Sequence, residues 1–167
     1  MGTTNDFTGQ SSQATSSAKV RHTGGCHCGA VRFEAEFEAG FCGSRCNCSI
    51  CQKLGATGAI LKPSAFRLLS GDESLGSYTW GARVSTRHFC THCGVYCFGA
   101  GQLAELGGDF TSVNLNCLDE FDVNEIEIIH WDGRHNNWMA GPRKSPWPLF
   151  AGSDTAENAH EPAEAAE

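Results

Sequence analysis

Long apolar runs are missing from this chain of 167 residues. A helix that crosses a bilayer needs about 20 consecutive apolar residues, and no stretch comes near that, so no membrane partner is expected. The start has no basic stretch leading into an apolar run, which argues against a secretory leader. Met1-Gly2 opens like a myristoylation site, but Asp6 stands where Ser or Thr is needed. Positive charge is not in excess either: 12 Lys and Arg face 19 Asp and Glu. No basic stripe runs along the chain, so a nucleic-acid partner is not expected. Helical periodicity is scarce; only Ile50–Gly55 and Gln102–Leu106 invite a helical turn, which argues against a helical bundle.

The acidity is local. Five acids, Asp154, Glu157, Glu161, Glu164 and Glu167, lie in 151–167, and Asp6 is the single one in 1–18, so residues 19–150 are close to neutral. Residues 1–18 are rich in Ser, Thr, Gln and Gly, and 151–167 in Ala and Glu. Both read as disordered tails, leaving one folded domain over 19–150.

Within that body the pattern is strand and turn. Ala30–Phe37 alternates apolar and polar residues, the mark of a half-buried strand. Short runs at Gly58–Leu61, Phe66–Leu69, Leu75–Trp80, Val84–Phe89, Ser112–Leu115 and Glu125–Trp131 read as further strands bounded by Gly, Pro, Ser and Asp. Many short strands with Gly-rich turns predict a mainly β fold.

What the chain has in abundance is cysteine, ten in all. With no leader in view, a reducing, cytoplasmic setting is expected, where clustered cysteines mean metal or catalysis more often than disulfides. Two pairs have knuckle-like spacing, Cys26-His27-Cys28-Gly29 and Cys90-Thr91-His92-Cys93-Gly94. The Gly after each second Cys suits a tight turn whose N–H groups point at sulfur. Together the four thiols can close a tetrahedron around a structural zinc. His27 and His92 sit inside these knuckles, but the cysteines suffice.

A third cluster, Cys46-Asn47-Cys48-Ser49-Ile50-Cys51, puts three thiols within six residues. Three protein ligands and an open position is the arrangement of catalytic zinc, while a fourth ligand, Cys42 or a distant residue, would make it a second structural site. Three thiolates lower the metal's Lewis acidity and suit a soft incoming ligand such as a thiol. Of the remaining cysteines, Cys97 reads as a small core residue; Cys117 reads equally as core or site-facing.

Gly25-Cys26-His27-Cys28-Gly29-Ala30-Val31-Arg32-Phe33, Cys46-Asn47-Cys48-Ser49-Ile50-Cys51-Gln52-Lys53 and Arg87-His88-Phe89-Cys90-Thr91-His92-Cys93-Gly94 resemble the motifs of the glutathione-dependent formaldehyde-activating enzyme family, whose domain the centromere protein V proteins share. The resemblance spans about residues 20–138. It implies an Mss4-like fold of antiparallel β-sheets with two zinc ions per chain. Cys26, Cys28, Cys90 and Cys93 would hold the structural zinc, and Cys46, Cys48 and Cys51 the catalytic one. The implied activity is that of a carbon–sulfur lyase of the S-(hydroxymethyl)glutathione synthase type, joining glutathione to formaldehyde. Val113–Asp119 and Asp132-Gly133-Arg134 with Trp138 resemble a subgroup of small members of that family.

Two rivals accompany this reading: a zinc enzyme acting on a small molecule without a thiol, and a non-enzymatic zinc module that binds a protein. For a substrate with carboxylates, Arg45, Lys53, Arg83, Arg87 and Arg134 are candidate cations, set against plain surface charge. His88, His130 and His135 are candidate proton shuttles, set against packing. Trp131 and Trp138 are candidate pocket walls, set against core roles.

Overall fold

In Arg32–Glu38 every second side chain is buried: Phe33, Ala35 and Phe37 face inward, while Arg32, Glu34 and Glu36 face outward. This is the period of two that the sequence shows, and it sets one face of a sheet against the core. The computed structural model describes residues 18–150. The two expected tails lie outside the described residues, except for Ala18.

The strands in chain order are β1 (Lys19–Gly25), β2 (Arg32–Glu38), β3 (Gly43–Cys46), β4 (Gly58–Leu61), β5 (Phe66–Ser70), β6 (Leu75–Thr79), β7 (Ser85–Cys90), β8 (Tyr96–Leu103), β9 (Gly108–Asn114) and β10 (Ile128–Trp131). One short helix, α1 (Ser49–Leu54), and single 3-10 turns complete the described chain. The fold is mainly β, as expected for an Mss4-like domain. No helix among the described residues is long and apolar enough to cross a membrane.

The strands form two sheets. The smaller has the order β1-β2-β5, the larger β10-β3-β4-β9-β8-β7-β6. Three phenylalanines join them. Phe66 of β5 lies 5.5 Å from Phe33 of β2 and 4.6 Å from Phe98 of β8 between ring centroids. Val31, Val113 and Leu115 fill the remaining space and are fully buried. Each such side chain stabilises the fold by about 1.5–3 kcal/mol through removal from water.

All strand pairs among the described residues are antiparallel except one: β10 runs parallel to β3, with Trp131 opposite Cys46. A parallel pair needs a long crossover, here the whole of β4 to β9. Gly43 makes the pairing possible, since a Cβ there would lie 2.6 Å from the Ile128 side chain. The crossover returns residues 131–138 to the end of β3, where the third cysteine cluster begins.

Several expected elements shift. The run at 125–131 is a strand only from Ile128, because Val123–Glu125 folds into a 3-10 turn started by Asp122 accepting from the Asn124 N–H. Of the helical turn expected at 102–106, Gln102 and Leu103 extend β8 and only Ala104–Leu106 curls. Strands β1 and β3 carry no apolar pattern and have no counterpart in the sequence reading. Their partners recruit them: β1 pairs with β2 along its whole length.

Candidate metal centres

The first centre forms where the two sheets meet. Cys26 follows β1 and Cys28 lies in the turn before β2; Cys90 ends β7 and Cys93 lies in the turn before β8. In both turns the glycine expected to relieve the backbone does so, with φ of 77° at Gly29 and 73° at Gly94. The four sulfurs lie within 4.8 Å of one another. Cys28 Sγ is 3.5 Å from Cys26 Sγ and 3.7 Å from Cys90 Sγ. A zinc tetrahedron with bonds of about 2.3 Å has edges near 3.8 Å, so the donor set fits such an ion.

Backbone amides are aimed at these sulfurs: Val31 N–H donates to Cys26 Sγ at 3.3 Å, and His92 N–H to Cys90 Sγ at 3.4 Å. Hydrogen bonds from the Val95 and Cys28 amides bring the Cys93 thiol down to about 6. The Ala30 amide acts the same way on Cys28, but the neighbouring thiols, Cys26 first, outweigh it and push Cys28 up to about 11. Crowded thiols cannot all ionise by themselves; a cation at their centre lets them.

The second centre is built from one short segment. Cys46 ends β3, Cys48 immediately precedes α1, and Cys51 lies within it. Their sulfurs also lie within 4.8 Å of one another, and among the described residues no fourth His, Cys, Asp or Glu joins them. Cys42 is exposed and stays outside both groups. The Cys46 and Cys51 thiols donate to Cys48, and the Cys51 and Ile50 amides add to them, so Cys48 falls to about 2 despite burial. Cys51 moves upward, pressed first by Cys46 and then by Cys48.

A strap formed by residues 132–138 crosses this centre. Asn47, between the two cysteines, is its fastening point. Its Nδ2 donates to Asp132 Oδ1 at 2.7 Å and to the Pro148 carbonyl at 3.2 Å, and its Oδ1 accepts from Arg134 N–H at 2.8 Å. Gly133 rests directly on the thiols: a Cβ there would lie 2.6 Å from Cys46 Sγ and 2.8 Å from the Trp138 ring. Trp138 lies 6.2 Å from Trp131 between ring centroids, so both tryptophans border the three-thiol centre.

Asp132 is 3% exposed. Besides Asn47, its carboxylate meets His135 Nδ1 at 2.8 Å and Asn137 Nδ2 at 3.5 Å. Burial alone would raise its pKa, but these donors outweigh burial and hold it below the ordinary carboxylate value.

The other candidates are sorted by this geometry. His88 stacks on Phe98, 4.9 Å between centroids, and its pKa is lowered by burial. His130 pairs with Arg45 across the strands and is lowered by burial and then by Arg45 and Arg143. Arg45 donates from Nε to Thr57 Oγ1 at 2.8 Å, and strand alternation puts it on the opposite face from Cys46. Arg134 lies over the Phe150 ring, 5.1 Å from its centroid. Arg87, half-buried on β7, donates to Ser85 Oγ at 3.1 Å. Cys97 and Cys117 are both core residues, and their sulfurs bond to the Val95 and Tyr96 carbonyls. Sequence reasoning missed the fastening by Asn47 and the close approach of Gly133. The available signal was a buriable amide between two clustered cysteines and a Gly flanked by charged residues.

The sequence model of the glutathione-dependent formaldehyde-activating enzyme matches residues 21–131. The chain belongs to this family. Both cysteine clusters lie inside the matched span, as does Asn47, whereas the strap begins one residue beyond it. The family fold recurs in a crystal structure of a Rhodobacter sphaeroides protein, 32% identical, with a TM-score of 0.58. That similarity covers 65% of this chain and 98% of the other.

Proposed function

We propose that the chain is a zinc-dependent carbon–sulfur lyase that joins a thiol to a small carbonyl compound, glutathione and formaldehyde being the default pair. The observation that carries this reading is the three-thiol centre without a fourth protein ligand among the described residues. Membership in the family supports the choice of substrates. Cys26, Cys28, Cys90 and Cys93 form the structural site in this reading, and Cys46, Cys48 and Cys51 the catalytic one.

Cys46, Cys48 and Cys51 would hold the zinc, which would supply there a Lewis acid that favours the thiolate form of an incoming thiol. The protein does the rest. Gly133 and Trp138 limit the space beside Cys46, and Asn47 keeps the strap in register with the thiols. Two substrates held in one confined place gain the orientation that a bimolecular encounter lacks. In the reaction the sulfur–carbon bond forms, the carbonyl π bond opens, and the thiol proton ends on the former carbonyl oxygen.

Calorimetric titration of glutathione into the zinc-loaded protein tests the reading, with Cys48→Ser as control. Binding that the substitution abolishes supports a thiol at the three-cysteine centre. An equal heat in both proteins, or none in either, removes glutathione from the reading and favours a substrate without a thiol.

A further inference from the structure

Joining a thiol to an aldehyde leaves one proton to be moved, from sulfur to oxygen. The three-thiol centre has no basic group of its own once its sulfurs are engaged, since no His, Asp or Glu joins them among the described residues. Of the three candidate shuttles, His88 is packed against Phe98 and His130 lies on the reverse face of β10 beside Arg45. Only His135 stands on the strap that covers the three thiols.

We infer that His135, oriented by the buried carboxylate of Asp132, takes the proton from the thiol substrate and returns it to the new hydroxyl oxygen. The inference rests on the reading of this centre as a thiol–carbonyl site. It is carried by the hydrogen-bonded chain Asn47–Asp132–His135, which starts on the residue between Cys46 and Cys48, and by Gly133, two residues from His135, lying against Cys46 Sγ. Asp132 Oδ1 accepts from Asn47 Nδ2 at 2.7 Å and lies 2.8 Å from His135 Nδ1. A carboxylate can only accept, so the neutral imidazole carries its proton on Nδ1 and leaves Nε2 with a free lone pair. The His135 side chain is 41% exposed while that of Asp132 is 4% exposed, so the orienting group is sheltered while the imidazole it orients can be reached by a substrate or by one bridging water.

The proton balance closes without a further reactant. The thiol S–H breaks as Nε2 takes the proton, the sulfur–carbon bond forms as the carbonyl π pair moves to oxygen, and imidazolium returns the same proton to that oxygen. His135 ends as it began. Asp132 is a positioning residue, acting through the imidazole.

Exchange NMR on the full-length zinc-loaded protein with glutathione and ¹³C-formaldehyde reads the rate of adduct formation. Replacing His135 by Gln should slow the catalysed exchange about 100-fold while the calorimetric affinity for glutathione stays unchanged. Imidazole added to His135→Ala should restore part of the rate. Independently of turnover, long-range ¹⁵N correlation spectra should show His135 as the Nδ1–H tautomer, and Asp132→Asn should disturb that preference. A His135→Gln protein as fast as wild type overturns the relay alone. Parallel loss of rate and glutathione affinity, or an Nε2–H tautomer in the wild type, also overturns it. A wild type that leaves the exchange at its uncatalysed rate overturns the thiol–carbonyl reading together with the relay built on it.

Discussion

The two cysteine clusters use the same ligand chemistry and differ in where the ligands come from. The four-thiol cluster takes one pair from the β1–β2 turn and one from the β7–β8 turn, so it ties the smaller sheet to the larger. The three-thiol cluster draws all its sulfurs from residues 46–51 and ties nothing distant together. A metal that joins remote segments contributes directly to folding, because its site does not exist in the unfolded chain. A metal held by one short segment depends on the fold for its surroundings. Here those surroundings are the strap and the tryptophans, and among the described residues no further thiol joins the three. One chain thus places a cluster that joins two sheets beside a cluster confined to one segment, and ligand spacing separates them.

The largest expected effect strikes the cross-link. Cys90→Ser should abolish soluble folding or lower the melting temperature by tens of degrees, since structural zinc contributes about 10–16 kcal/mol in small domains against a total stability of about 5–15 kcal/mol. Circular dichroism melts check it. Cys48→Ser is the counterpart: near-wild-type melting, one metal fewer by elemental analysis, and loss of adduct formation. The contrast between the clusters breaks if the two variants melt alike.

Gly133→Ala sharpens the comparison from the strap. The added methyl would sit 2.6 Å from Cys46 Sγ, so the three-thiol centre should lose about 10–100-fold in metal affinity, with a stability cost of about 1–3 kcal/mol from overpacking. Competition with a chromophoric chelator reads the first and urea unfolding the second. The four-thiol centre should keep its affinity in the same titration.

The smallest effect lies beside the cross-link, where Asp119 takes hydrogen bonds from Arg32 and from Thr23 Oγ1 at 2.8 Å. The Arg32 guanidinium and then Thr23 hold the Asp119 carboxyl below its usual value. A folded-state pKa below the unfolded one gives stability that is fully present above the unfolded value, about 3.9, and is lost as pH falls through the folded value. The stability gap between wild type and Asp119→Asn should therefore be about 1 kcal/mol or less at pH 7 and vanish under strong acid. Urea midpoints at pH 7 and pH 3 test the sign.

The legible part of the molecule was the part written in local pattern. Alternation marked β2, and apolar runs marked β4, β5 and β6, with the Gly58–Leu61 bounds matched to the residue. Strand β1 was illegible because its polar and glycine-rich sequence has no preference of its own. Gly24 is required there because a Cβ would meet the Cys117 carbonyl at 2.5 Å and the Phe33 ring at 2.8 Å, and Cys117 is remote in sequence.

By itself the sequence determined the thiol groupings within each turn, since Cys26-His27-Cys28-Gly29, Cys90-Thr91-His92-Cys93-Gly94 and Cys46–Cys51 are short-range spacings that turn geometry alone can satisfy, while bringing the first two pairs together took the fold. It also determined the mainly β class, through the period of two. Only the tertiary structure decided what surrounds the three-thiol centre. The parallel pairing of β10 with β3 sets Trp131 opposite Cys46 and carries Asp132, Gly133 and His135 to the same place. The contacts of Trp131 and Gly133 with Cys46 and of Asp132 with Asn47 join residues more than 80 positions apart, and no local preference encodes a partner at that distance.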